Sequence, residues 1–274
     1  MKTMIPILRR AMLSVAVMVW GGVMLYFYTS GRIVTYLAPD FRIIALAGGL
    51  GLMVIGLFNL LMCTVPAVVP HDHKGDADAA ERGDMHPLTG FLLMVVPMVL
   101  SVAWTTDEYS LAALERKGLY EAPSATSLPF MAPTLAPVTM EDLERTHRRT
   151  EDGFFEFSLM ELFFASGDRQ LQGVLDGLEV ETEGRWVDER RNNEDGNRKR
   201  LYRLFMMCCI ADSRAIPIIL EFEGTPPELP ENEWARVAGT MTFPLEDGVI
   251  QPVLKAERAM AADPPVEETF LRNH

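Results

Sequence analysis

Three stretches of the chain are almost continuously apolar, with no polar face running along them. They lie near residues 11–28, 43–66 and 87–104. A helix at the surface of a soluble protein carries polar residues on one side, and about 20 mainly apolar residues are needed to cross ~30 Å of hydrocarbon. The pattern therefore predicts three transmembrane helices, which form a membrane module at residues 1–106.

The pattern changes after this module. Residues 107–138 read as a juxtamembrane piece followed by a proline-rich linker, because four prolines stand among small residues at 122–137. Residues 139–265 then predict a second domain, which begins with helix-capping signals and continues with strands of alternating apolar and polar residues. A helix and about five strands in roughly 100 residues are typical of a small all-β barrel of the OB-fold type. Residues 266–274 are expected to form a flexible tail.

Charges in the short loops predict how the chain is oriented. The N-terminal arm and the 70–86 loop carry five basic residues, whereas the 29–42 loop carries two. Because basic loops stay in the cytoplasm, we expect a multi-pass protein of the bacterial cytoplasmic membrane with a cytoplasmic N-terminus. The first span is too long for a cleaved signal peptide and reads as a signal anchor. Three spans then place the C-terminal domain outside the cytoplasm.

The charge of the second half limits its partners. Residues up to 106 contain seven basic and six acidic side chains, whereas the remainder contains eighteen basic and thirty-two acidic ones. Such an acidic surface repels phosphate backbones, so a nucleic-acid partner is not expected. The sequence also lacks a glycine-rich phosphate loop, a nucleophile elbow and an HExxH motif. We therefore expect no enzymatic activity.

Two adjacent cysteines, Cys208 and Cys209, stand in the apolar run "RLFMMCCIAD", and Asp212 follows them. If the run is a strand, neighbouring side chains point to opposite faces, which makes it hard for both thiols to hold one ion. Three interpretations stay open: packing in a core, a thiolate site for a metal or metalloid that Asp212 joins, and a redox pair.

A second candidate metal site lies between the second and third spans. The segment "HDHKGDADAAERGDMH" contains His71, His73 and His86 among several carboxylates. Imidazole and carboxylate suit zinc and similar divalent ions. The spacing matches no known motif, so a solvated connecting loop is the alternative. No cofactor is required by the sequence, and a divalent metal ion is the one these residues could bind.

Small residues in the second span favour close helix packing. Ala47 and Gly51 are four positions apart, a small-xxx-small pattern, and Asn59 could form an interhelical hydrogen bond. These residues either dock a partner membrane protein or pack against the chain's own helices.

Several phrases together resemble a known family. They are "YLAPDF" after the first span, "SLAALERKG" after the third, and "LQGVLDG", "CCIAD", "EWARVAGTM" and "PVLKAE" in the second domain. The chain resembles, from residue 11 to about residue 262, a bacterial family of unknown biochemical function whose members are described as the smaller subunit of a two-component permease. The resemblance implies a larger multi-span permease as partner, similar to exporters of metal ions.

The expected function is therefore that of a non-catalytic accessory subunit of an inner-membrane permease, for metal or metalloid ions. Its partners would be the larger subunit and the lipid bilayer. The alternative is a membrane-anchored OB-like module that binds an envelope protein or peptide without a role in transport. A redox sensor that uses the two thiols is a third hypothesis.

Overall fold

The computed structural model describes residues 4–63, 86–105, 110–121 and 139–271. The chain divides into two compact units, Met1–Glu108 and Tyr109–His274. The first unit contains the apolar helices and the second contains a β-sheet. Below, we call them the membrane unit and the β unit.

The membrane unit consists of helices. Three of them are long and apolar enough to cross a membrane, over Ile7–Thr29, Pro39–Leu61 and Pro87–Trp104. The three predicted spans are therefore present, and they indicate a multi-pass membrane protein. The helices are α1 (Met4–Thr29), α2 (Ile33–Tyr36), α3 (Pro39–Leu61) and α4 (Pro87–Trp104).

Helix α1 packs against both α3 and α4. Glycines allow its close approach to α3. A Cβ atom on Gly21 would lie 2.7 Å from the carbonyl oxygen of Gly49, and a Cβ atom on Gly56 would collide with the side chain of Met18. On the other side, the indole N–H of Trp20 donates to the carbonyl of Met94 in α4 at 3.0 Å. The small residues at 49 and 56 thus serve the chain's own packing.

The β unit begins with short helices whose starts follow the predicted capping signals. Both capping boxes are formed, Thr139 with Asp142 and Ser158 with Glu161. The second of these helices packs on the sheet, mainly against the strand that starts at Arg214. The helices are α5 (Leu111–Arg116), α6 (Met140–Thr146), α7 (Leu159–Ala165) and α8 (Arg169–Leu175).

The sheet of the β unit is mixed. Its main part has seven strands in the order β1-β2-β5-β8-β4-β3-β9, and β2 pairs in addition with β3. The pairs β1–β2, β4–β8 and β3–β9 are parallel, and the remaining pairs are antiparallel. The strands are β1 (Phe155–Glu156), β2 (Glu179–Asp188), β3 (Arg198–Met206), β4 (Arg214–Phe222), β5 (Trp234–Thr242), β6 (Leu245–Glu246), β7 (Val249–Ile250), β8 (Val253–Ala261) and β9 (Phe270–Leu271).

Successive side chains of β2 and β3 point to opposite faces of the sheet, and those on each face belong to a different hydrophobic cluster. Trp186 and Phe205 belong to the larger cluster, which α7 and α8 also line. Val187 and Tyr202 belong to a smaller cluster on the other face. Gly239 stands at a β-bulge between β5 and β8, where a Cβ atom would collide with the backbone of Lys255. No larger residue fits there without moving β8.

The segment 110–121 belongs to the β unit, which differs from the predicted linker of 107–138. Leu114 and Leu119 are fully buried in the smaller cluster. The backbone N–H of Ala215 in β4 donates to the carbonyl of Lys117 at 2.8 Å. The reason is that the outer face of β2 and β3 is apolar and these two leucines cover it. The proline-rich part of the predicted linker, 122–138, lies outside the described residues.

The tail also differs from its prediction. Residues Phe270–Leu271 form β9, which pairs in parallel with the end of β3. Arg203 donates to the carbonyl of Glu267 at 2.7 Å, and its guanidinium lies 4.1 Å from the ring centre of Phe270. Cation–π contact and hydrogen bonds fix residues 267–271 to the sheet, because Arg203 offers five donors in one place.

We predict that Leu114→Ala destabilises the β unit by about 2–5 kcal/mol, since it leaves a cavity in the smaller cluster. The measurement is a urea titration of the full chain in detergent, followed by tryptophan fluorescence. Leu245→Ala is the matched control, because Leu245 is 70% exposed, and it should change stability by less than about 0.5 kcal/mol. Equal midpoints for the two variants would mean that residues 110–121 do not pack on the sheet.

Candidate functional site

The cysteine pair lies just beyond the end of β3. The strand ends at Met206, and a short 3-10 turn, Ile210–Asp212, leads into β4. The prediction that Cys208 and Cys209 occupy a strand and point to opposite faces is wrong. The apolar run continues past the point where the ladder stops, and the turn brings both thiols to one place.

Asp212 organises this turn. Its Oδ2 accepts hydrogen bonds from the backbone N–H of Cys208 at 2.9 Å and of Cys209 at 3.3 Å, and its Oδ1 accepts from the N–H of Met207 at 3.0 Å. The thiol of Cys208 also donates to Oδ2, with 2.7 Å between sulfur and oxygen. In return, the Cys209 side chain accepts from the backbone N–H of Asp212. One carboxylate therefore satisfies three backbone donors that the end of the strand leaves open.

Cys208, Cys209 and Asp212 form a compact set of potential metal ligands. One sulfur of each cysteine and one carboxylate oxygen all lie within 4.8 Å of one another. Each of the three residues is half-buried, and all three cysteines of the chain are free thiols. Neither Cys208 nor Cys209 belongs to the two hydrophobic clusters, so packing in the core does not account for their position.

The electrostatics of the turn follow from these contacts. The hydrogen bond to Asp212, together with a second one to Cys209, raises the pKa of the Cys208 thiol to about 12. Partial burial alone would raise the pKa of Asp212, but hydrogen bonds from the Cys208 thiol and the three backbone N–H groups outweigh it and lower that pKa. At neutral pH the pair is therefore a neutral thiol that donates to an ionised carboxylate.

Lys117 brings a positive charge to the same turn. Its Nζ donates to the carbonyl of Ile210 at 2.8 Å and to the carbonyl of Ser213 at 3.3 Å. Burial lowers the pKa of Lys117, and the charges of Asp212 and Cys209 oppose this shift. The segment 110–121 thus contributes a residue to the site, which the sequence did not indicate because about ninety positions separate Lys117 from its partners.

Of the three histidines in the predicted site, the structure describes His86. His86 caps the start of α4, where its Nδ1 accepts from the backbone N–H of Leu88 at 3.3 Å. His71 and His73 lie outside the described residues. Among the residues that the structure describes, three or more potential metal ligands lie close together at the cysteine turn and at no other place.

The predicted docking residues on α3 are accessible at its surface. A Cβ atom on Gly51 would meet no atom within 4 Å, and Ala47 and Asn59 are exposed. The Asn59 amide donates to the carbonyl of Ile55 at 2.9 Å, within its own helix. Ala47 and Gly51, each two positions from Gly49, therefore lie on a different face of α3 from Gly49 and Gly56.

A pocket that the sequence did not predict opens between the β2–β3 connection and the β6–β7 hairpin. It is a small cleft of about 40 Å³, and Asn192, Arg200, Asp247 and Val249 are among its lining residues. Arg198 links its two sides, because it forms ion pairs with Glu221 at 2.5 Å and with Glu246 at 2.8 Å.

Comparison with known families identifies the domain that contains the cysteine turn. Residues 172–269 match the sequence profile of the DUF1980 C-terminal domain, a family of unknown function. The matched region runs from α8 to just before β9 and includes the cysteine turn and all the lining residues of the pocket except Tyr120. No curated protein matches the chain.

We predict that Asp212→Asn increases the rate of alkylation of Cys208 at pH 8. The carboxylate favours the protonated thiol, so its removal lowers the pKa and raises the fraction of reactive thiolate, about tenfold for each unit that the pKa falls. Peptide-resolved mass spectrometry after iodoacetamide treatment measures the rate. Cys63, in the membrane unit, is the internal control and should react at an unchanged rate. An unaltered rate at Cys208 would show that Asp212 does not control the thiol.

Proposed function

We propose that this chain is a non-catalytic accessory subunit of a multi-span permease in the bacterial inner membrane, and that it docks the larger subunit through α3. The observation that carries this proposal is the separation of small residues on α3 into two faces. Gly49 and Gly56 approach α1 closely, whereas Ala47 and Gly51 face away from it with open space above Gly51.

The chemistry of a bilayer supports this use of the second face. Lipid tails are as apolar as leucine, so helices associate in the membrane through close packing of small residues rather than through the hydrophobic effect. The face around Gly51 also carries large exposed apolar residues, among them Ile44 at 64%, Val54 at 67% and Phe58 at 58% exposed. A second transmembrane helix could pack over Ala47 and Gly51 and lie between these side chains.

We also propose that the five long strands of the β unit close into a barrel of the OB-fold type. Support comes from the pairing of β2 with both β3 and β5, because the series β2-β5-β8-β4-β3 then returns to its first strand. The parallel pairing of β4 with β8 within an otherwise antiparallel ring supports it further. Closure removes the edges that an open sheet leaves exposed.

The orientation is part of the same proposal. The excess of basic residues in the N-terminal arm and in the loop between α3 and α4 supports a cytoplasmic N-terminus and a β unit on the opposite side. In that position the β unit would stand at the outer end of the permease pathway.

Co-purification in mild detergent tests the proposal. We expect the full-length chain to isolate with a larger multi-span protein in a fixed ratio. Gly51→Leu should reduce the recovered partner about tenfold or more, since a leucine at the contact separates the two backbones and overpacks the interface. Gly90→Leu is the matched control on α4, because a Cβ atom on Gly90 would also meet no atom within 4 Å.

The other outcomes contradict the proposal. Equal loss of partner in both variants would mean that any added bulk in the membrane unit disturbs the complex, rather than bulk on this face. A soluble envelope protein recovered equally with wild type and Gly51→Leu would favour the alternative function, a membrane-anchored binding module. The pocket between the β2–β3 connection and the β6–β7 hairpin is the observation that favours this alternative.

A further inference from the structure

We propose that Cys208, Cys209 and Asp212 form a three-ligand site for a thiophilic divalent cation of the Zn²⁺ and Cd²⁺ class, with a fourth position left for an exchangeable ligand. Two thiolates and one carboxylate are ligands that zinc commonly uses, and three protein ligands with an open position characterise sites that exchange their fourth partner. The inference goes beyond the proposed docking function and holds whether or not the chain has a permease partner.

The distances in the turn fit such an ion after a small movement. Around a tetrahedral zinc with bonds of about 2.3 Å to sulfur and about 2.1 Å to oxygen, ligand atoms lie about 3.6–3.8 Å apart. The potential ligand atoms of the three residues already lie within 4.8 Å of one another. The thiol of Cys208 now donates to Oδ2 of Asp212 at 2.7 Å, and the loss of its proton on ion binding removes this hydrogen bond and leaves the sulfur available to the ion.

The backbone preorganises the ligands for binding. Three N–H groups, from Met207, Cys208 and Cys209, hold the Asp212 carboxylate in place. A carboxylate has about four lone-pair positions, so Oδ1, which accepts one of these hydrogen bonds, keeps a position for an ion. Hydrogen-bonded second partners of this kind orient metal ligands and raise affinity.

Charge balance assigns a role to Lys117. When the ion binds, each thiol releases its proton to water and forms a metal–sulfur bond. The two thiolates, the carboxylate and a divalent ion then sum to a net charge of −1. The Lys117 ammonium group interacts electrostatically with both Asp212 and Cys209, and it brings this sum to zero. Because it donates to the carbonyls of Ile210 and Ser213, it is a positioning residue and not a ligand.

The ligand set also selects among ions. Thiolates disfavour Mg²⁺ and Ca²⁺, which prefer oxygen, and a carboxylate in place of a third thiolate favours Zn²⁺ and Cd²⁺ over Cu(I). Within the described residues no imidazole accompanies these ligands.

The test is a titration of the reduced, full-length chain in detergent with Cd²⁺ and, separately, Zn²⁺. We expect one ion per chain and an ultraviolet thiolate-to-cadmium charge-transfer band that saturates at this ratio. Cys208→Ser and Cys209→Ser should each weaken binding about 100-fold or more and reduce the band, and Lys117→Gln should weaken binding about tenfold while the band at saturation stays. Unfolding curves of each variant show that the β unit remains folded.

Two matched controls locate the site. Cys63→Ser removes the remaining cysteine and should leave affinity and spectrum unchanged. The triple variant His71→Ala, His73→Ala, His86→Ala should also keep the band, even if it loses additional zinc bound without thiolate. Three results would each overturn the proposal. The wild-type chain could show no band, the band could survive in the double variant Cys208→Ser, Cys209→Ser, or it could be lost in Cys63→Ser. Loss of the permease partner in the co-purification experiment would leave these results unaffected.

Discussion

The end of β3 depends on one side chain, the carboxylate of Asp212. A strand that leaves its ladder exposes backbone N–H groups, and these must find other acceptors when they are partly buried. Asp212 accepts from three of them in succession. The turn that results starts β4 in register with β3, from Phe205 opposite Arg214 onward, and it places two thiols beside the same carboxylate.

The same turn joins the sheet to residues 110–121. Lys117 caps the carbonyls of the turn, and Ala215 in β4 returns a hydrogen bond to the Lys117 carbonyl. A buried ion pair supports the other end of this segment: Arg200 contacts Glu189 at 2.5 Å and donates to the carbonyl of Leu119. Glu189 further accepts from the N–H groups of Arg190 and Arg191. The buried pair of Arg200 and Glu189 is tolerated because these additional hydrogen bonds satisfy the remaining donors and acceptors of the two side chains.

The sequence predicts those features that depend on long or regular patterns. Continuous apolar runs locate the three spanning helices, and capping pairs locate the starts of α6 and α7. It does not predict features that depend on contacts between distant residues. Leu114 and Leu119 are too few to show a buried face, and β9 is too short to show alternation. The sequence does not predict the position of Cys208 and Cys209, because the apolar run continues past the end of the strand. Asp212, four positions after Cys208, determines where the strand ends.

These observations connect the fold to a single chemical claim, that the turn after β3 is built to bind a thiophilic ion. The most direct measurement is X-ray absorption at the zinc edge of the zinc-loaded, full-length chain. The account predicts two sulfur neighbours at about 2.3 Å and oxygen at about 2.0–2.2 Å. A first coordination shell of nitrogen and oxygen alone would contradict it.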